Sequence, residues 1–143
     1  MTVRVLVVDD SPLCLAAVRR ALDEEAGFET VAEARDGERA VELTQRLRPD
    51  VVVMDVRMPG MNGLDAVERI MARSPTPILV LSGDPAARSG AMAYEALRRG
   101  AIDLLAKDDL AISPRSRAVL RDRLRFLSTV PVVRHLTPRG ERP

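Results

Sequence analysis

The chain has a single cysteine, a single histidine and no tryptophan, and aromatic residues make up only 2% of its 143 residues. One cysteine, Cys14, cannot form an internal disulfide, which excludes a small cross-linked secreted scaffold. Its place on a predicted helix face reads as that of a small buried apolar side chain. No apolar run approaches the ~20 residues that a bilayer-spanning helix needs. The first residues also lack the basic segment, apolar core and small-residue cleavage site of a secretory signal. A soluble protein of the cytoplasm, with no membrane partner, is the expectation. A serine-esterase set is missing too: there is no Gly-x-Ser-x-Gly, and His135 falls in an irregular C-terminal stretch. A nucleotide-binding doubly wound domain would want a Gly-rich turn after its first strand, and Asp9-Asp10-Ser11-Pro12 supplies none.

Hydrophobic residues at 46% and charged residues at 30% describe an ordinary globular chain, long enough to fill one core. The formal net charge of +1 hides an asymmetry. Residues 113–143 carry eight Arg against Asp122 and Glu141, a net of +6, which leaves the first 112 residues at −5. This Arg-rich end has neither a helix-turn-helix pattern nor interleaved aromatics, so it reads as a solvated helix face rather than a nucleic-acid surface, and no DNA-binding domain is expected.

Val3 to Val8 is apolar apart from Arg4, short enough for a strand buried on both faces. Ser11 then offers an N-cap and Pro12 suits the first helical position, predicting a helix to about Glu25 that Gly27 ends. Phe28 to Ala34 is a second strand, and Asp36 caps a helix running to near Arg48. "VVVMD" after Pro49-Asp50 is a third strand. The loop "VRMPGMNG" leads to a helix over 64–72, "PILVLS" is a fourth strand, and residues 90–99 form a fourth helix capped by Gly100. "AIDLLAK" is a fifth strand, and Ser113-Pro114 opens a last helix that fades near Ser128. Strands alternating with helices imply right-handed parallel crossovers, hence an α/β fold with a doubly wound, five-stranded parallel sheet and five helices.

In such sheets ligands bind beyond the carboxyl ends of the strands, where strand order reverses. Asp9 and Asp10 follow the first strand, Asp55 the third, Ser82 the fourth and Lys107 the fifth. Any one Asp at a strand end can simply cap the next helix. Together they place three carboxylates, a hydroxyl and an ammonium on one rim. Like charges at close range call for a cation, and an all-oxygen set suits Mg2+ or Mn2+. The same set meets the needs of phosphoryl transfer: an oxygen nucleophile, for which Asp55 is the central candidate, and donors for the equatorial oxygens.

"LVVDDSP", "DVVVMDVRMPGMNGLDAVERI", "PILVLSGD" and "RGAIDLLAK", in this order and spacing, resemble the receiver domain of two-component response regulators, a flavodoxin-like fold. The resemblance implies that Asp55 accepts a phosphoryl group from a histidine kinase. It further implies that Asp10, Asp55 and the backbone carbonyl of Arg57 hold Mg2+, with Asp9 reaching it through water. Ser82 would bind a phosphoryl oxygen, and Lys107 would pair with Asp55 and then with the phosphate. Pro59, Gly60 and Gly63 suit a loop folding back over the metal, with Met58 and Met61 as apolar fillers beneath it. The implied division is a receiver over 1–128 and a flexible tail or linker over 129–143. A monomer or a phosphorylation-dependent dimer is implied, with an unidentified downstream protein as target.

Two positions depart from the family pattern. Leu104 stands where an aromatic residue usually reports the movement of the Ser, so a smaller response to phosphorylation is expected. Asp108 follows the lysine in place of a cis proline. A non-proline cis bond costs about 2.5–4 kcal/mol, so a different path for that loop is expected. Among receivers, "GAIDLLAK" and "VPVVRH" are most similar to the N-terminal domain of chemotaxis protein-glutamate methylesterases. Without their catalytic set, no methylesterase activity is expected of these residues. The chain then reads as a free-standing receiver, as the receiver piece of such an esterase, or as an interaction module of the same fold that no longer switches. An Asp-nucleophile phosphatase would want a second Asp at the place of Arg57.

Overall fold

The computed structural model describes residues 2–56, 58, 60–83, 96–107 and 110–132. The apolar runs form β1 (Val3–Val8), β2 (Phe28–Ala34), β3 (Val51–Asp55), β4 (Ile78–Ser82) and β5 (Asp103–Ala106). They pair in parallel in the order β2-β1-β3-β4-β5, the doubly wound arrangement that the sequence predicts. Three helices, α1 (Pro12–Asp23), α2 (Gly37–Leu47) and α3 (Gly63–Arg73), and a C-terminal helix over Pro114–Leu127 cover the two faces. Of the helix expected over 90–99, residues 96–98 are helical, and residues 90–95 lie outside the described residues. Gly100 closes that turn at φ +115°, its N–H donating to Leu97 O.

Alternation along each strand sorts the core into two layers. Leu6, Val8, Val52, Met54, Ile78 and Val80 face α2 and α3, packing with Val41, Val67 and Ile70. Val5, Val7, Val51, Val53, Leu79 and Leu81 face the other way, against Leu15, Val18 and Leu22 of α1 and Leu120 and Leu124 of the C-terminal helix. Strands this apolar on both sides need helices on both sides, which fixes the architecture.

The start signals act as read: Ser11, Asp36 and Ser113 accept the backbone N–H of Cys14, Arg39 and Ser116. The stops differ. Helix α1 ends at Asp23, two residues short of Glu25, and Arg48 lies outside α2 as a left-handed cap at φ 47°.

The Arg-rich end departs furthest from expectation. Instead of a uniformly solvated face, Arg117 and Arg121 are buried, 3% and 7% exposed. Arg117 Nε donates to Glu24 Oε1 at 2.7 Å, and Arg121 reaches Glu24, Glu25 and the Ala21 carbonyl. Two of the arginines of the basic end are thus paired with two glutamates of the acidic body. The helix ends at Leu127 as expected, yet Val130 and Val132 still pack against the two core layers, so the chain stays on the domain past Ser128. Residues 133–143 lie outside the described residues.

Candidate functional site

The strand order reverses between β1 and β3, so the residues that leave those two strands face each other across the switch point. Asp9 leaves β1 with its N–H bonded to Ala34 O, and its Oδ1 accepts the Ser11 N–H at 2.9 Å. Asp10 is exposed, its carbonyl accepting from Arg35. Asp55 ends β3 almost wholly buried. Carboxylate oxygens of Asp9, Asp10 and Asp55 lie within 4.8 Å of one another. Lys107 follows β5, its N–H donating to Ser82 O at 2.9 Å. From there its ammonium spans the rim, 2.7 Å from Asp9 Oδ2 and 3.1 Å from Asp55 Oδ1.

Asp9 and Asp55 therefore share one ammonium, with the Asp10 carboxylate close by. Burial holds the Asp55 carboxyl above its ordinary range, the Asp9 charge adds to this, and Lys107 pulls the other way. The Lys107 ammonium is held in its charged form well above the usual lysine range by Asp9 and Asp55, against the opposing effect of burial. The donor chemistry fits a hard divalent cation: three clustered carboxylates, two of them buried, an all-oxygen set.

The loop after Asp55 explains why two of its glycines are glycines. Gly60 takes φ +74°, which favours glycine. Gly63 is required by proximity instead: a Cβ there would lie 1.9 Å from the Asp55 carbonyl oxygen, and its N–H donates to Val56 O. The start of α3 is thereby drawn tight against the end of β3. Gly37 at the start of α2 lets Met61 approach in the same way. Met58 is buried and Met61 packs on the α2/α3 layer, as expected of fillers.

Of the residues singled out from sequence, Asp9, Asp10, Asp55, Ser82 and Lys107 meet at this rim. Arg57, Pro59 and Asp108 lie outside the described residues. Leu104 pairs in register with Val80, two residues before Ser82, and packs half-buried on the α2/α3 layer. Cys14 differs from its reading as a buried apolar residue. It is half-buried, with Sγ 3.6 Å from the Lys107 ammonium, and lines a groove of about 280 Å³ with Leu13, Lys107, Leu110 and Ile112. Only the tertiary fold brings it there, since Lys107 is 93 residues away.

A doubly wound sheet with this acidic rim and strand-end lysine has the layout of a receiver domain rather than of a nucleotide-binding one. Residues 5–111 match the response regulator receiver domain, and the chain belongs to that family. The chain is 44% identical over 98% of its length to protein-glutamate methylesterase/protein-glutamine glutaminase 2 of Anaeromyxobacter dehalogenans and 41% identical over 99% to that of Carboxydothermus hydrogenoformans. It spans about 40% of the length of these curated relatives. Among solved structures, the response regulator domain of Thermotoga maritima CheB aligns with a TM-score of 0.81 at 36% identity, covering 92% of this chain and 99% of that one. The receiver domain of the putative response regulator NarL from Mycobacterium tuberculosis gives 0.72 at 36%, covering 87% and 97%.

Proposed function

We propose that Asp55 is the phospho-acceptor of this receiver, taking a phosphoryl group from the phosphohistidine of a histidine kinase. The observation that carries the reading is the buried Asp55 carboxylate held 3.1 Å from the Lys107 ammonium beside two further carboxylates. A carboxylate oxygen of Asp55 forms the new P–O bond as the donor's P–N bond breaks, the histidine nitrogen keeping the electron pair and taking up a proton. Asp10 and Asp55, with Asp9 behind them and the backbone carbonyl of Arg57, would hold Mg2+ or Mn2+. The cation would supply positive charge to the phosphoryl oxygens. Lys107 keeps its charge throughout and stands ready to exchange Asp55 for a phosphoryl oxygen. Ser82 donates its hydroxyl to another phosphoryl oxygen, and Leu104, on the same layer of the sheet, carries the resulting movement weakly for want of a polar tip.

We assign the protein to the cytoplasm, where such a kinase would act, as a monomer or a phosphorylation-dependent dimer with an unidentified target. Among the described residues no helix is long and apolar enough to cross a membrane. A second reading, that this receiver regulates a methylesterase domain outside these residues, is favoured by relatives that match nearly the whole chain with only 40% of their own length. Residues 129–143 would then begin the connection to that domain. Beryllofluoride with Mg2+ tests the acceptor directly: a bound 19F signal is expected with the wild type and not with Asp55→Asn, and equal signals from both would refute it.

A further inference from the structure

A buried guanidinium is costly unless all of its charge and donors are matched, and a hydrophobic residue of similar volume would often serve stability as well. Arg117 is 3% exposed. Its Nε bonds Glu24, as a clamp between the C-terminal helix and α1 would require. Its Nη1 donates instead to the backbone carbonyl of Leu110, at 3.1 Å in a buried position. Arg121, one turn on, bonds the end of α1 and the two residues that follow it, through the Ala21 carbonyl, Glu24 and Glu25. Arg117 therefore has a second partner that a helix clamp does not need.

That partner is close to the site. Leu110 lies three residues after Lys107, is buried in the layer formed by α1 and the C-terminal helix, and lines the groove that Lys107 and Cys14 share. Upstream, the lysine is anchored by its N–H bond to Ser82 O. Downstream, Arg117 holds the buried Leu110, with exposed Arg20 adding a longer 3.3 Å bond to Ala111 O. The ammonium sits between these two anchors, where it must reach both Asp9 and Asp55.

We propose that Arg117 is a positioning residue for Lys107, holding Leu110, three residues on, so that the ammonium stays within reach of both carboxylates. This rests on the reading of Asp55 as phospho-acceptor. Misplacing a reacting group by about 1 Å can cost as much as about 100-fold in rate, so loss of one of two anchors is expected to slow phosphorylation by roughly three- to tenfold.

The test is a double-mutant cycle read as the rate of phosphorylation by acetyl phosphate, with every variant kept at a temperature where it is folded. Arg117→Met is expected to slow the wild type by that factor and to have no further effect in a Lys107→Ala background. Glu24→Gln, which weakens the clamp but spares the Leu110 bond, is expected to leave the rate unchanged. Equal slowing in both backgrounds, or none in either, overturns the proposal. Should Arg117→Met fail to fold, Arg117→Lys, too short in donors to serve Glu24 and Leu110 together, takes its place in the cycle. A wild type that takes no phosphoryl group on Asp55 refutes the acceptor reading instead. The crystal structure of the variant then decides positioning by itself: Lys107 beyond the ~4 Å of an ion pair from Asp9 or Asp55 supports it, and unchanged distances overturn it.

Discussion

Lys107 pairs with Asp9 at 2.7 Å through Oδ2, while Oδ1 of the same carboxylate accepts the Ser11 N–H. Both oxygens of Asp9 are thus engaged by the protein itself. Asp55 holds only a longer share of the same ammonium, at 3.1 Å, and bears the cost of burial and of Asp9's charge. The lysine offsets only part of this, so the ionised form of Asp55 is one that the fold tolerates rather than prefers.

Asp55→Asn is therefore expected to stabilise the protein. Because the carboxyl's folded pKa is raised above its unfolded value, stability falls as pH rises from the ordinary carboxylate range through the folded pKa, and the loss persists above it. Relieving one close like-charge contact, less the partner that Lys107 loses, gives about 1 kcal/mol at pH 7. Urea denaturation should show the gain at pH 7 and its disappearance near pH 3.

Gly63→Ala is expected to destabilise by about 2–3 kcal/mol, since the new methyl would stand 1.9 Å from a backbone oxygen that cannot yield without moving the end of β3. Gly37→Ala meets the Met61 carbonyl oxygen at 2.6 Å, a less severe approach than that at Gly63, and gains helix propensity, so its cost should be smaller. Comparing the two denaturation midpoints checks the order.

The Glu24 cluster has the opposite pH sense to Asp55. The Arg117 hydrogen bond, with Arg121 beside it, holds the Glu24 carboxyl below its usual range against a contrary pull from desolvation. Its contribution to stability is present above the unfolded carboxylate pKa and lost as pH falls through the folded one. Glu24→Gln should lower the urea midpoint at neutral pH and match the wild type in acid.

The strands and the helix starts were legible because they depend on local signals. Apolar runs, Ser11-Pro12 and Ser113-Pro114 act within a few residues of themselves, and the rim followed once strand ends were known. What escaped depends on residues distant in the chain. Arg117 and Arg121 looked like solvated charges because Glu24 lies 93 and 97 residues away. Cys14 looked apolar because Lys107 is likewise remote. Gly63 read as a turn glycine, whereas its requirement comes from the approach of α3 to the Asp55 carbonyl, which only packing reveals. Arg48 gave no sign of its left-handed conformation, since a non-glycine residue there is uncommon.

The central claim is that Asp55 accepts the phosphoryl group with the help of a divalent cation. Intact-mass measurement after incubation with acetyl phosphate and Mg2+ tests it most directly. The wild type should gain the mass of one phosphoryl group, and Asp55→Asn, or the wild type in EDTA, should gain none. Equal modification of the wild type and Asp55→Asn, or full modification in EDTA, would contradict the account.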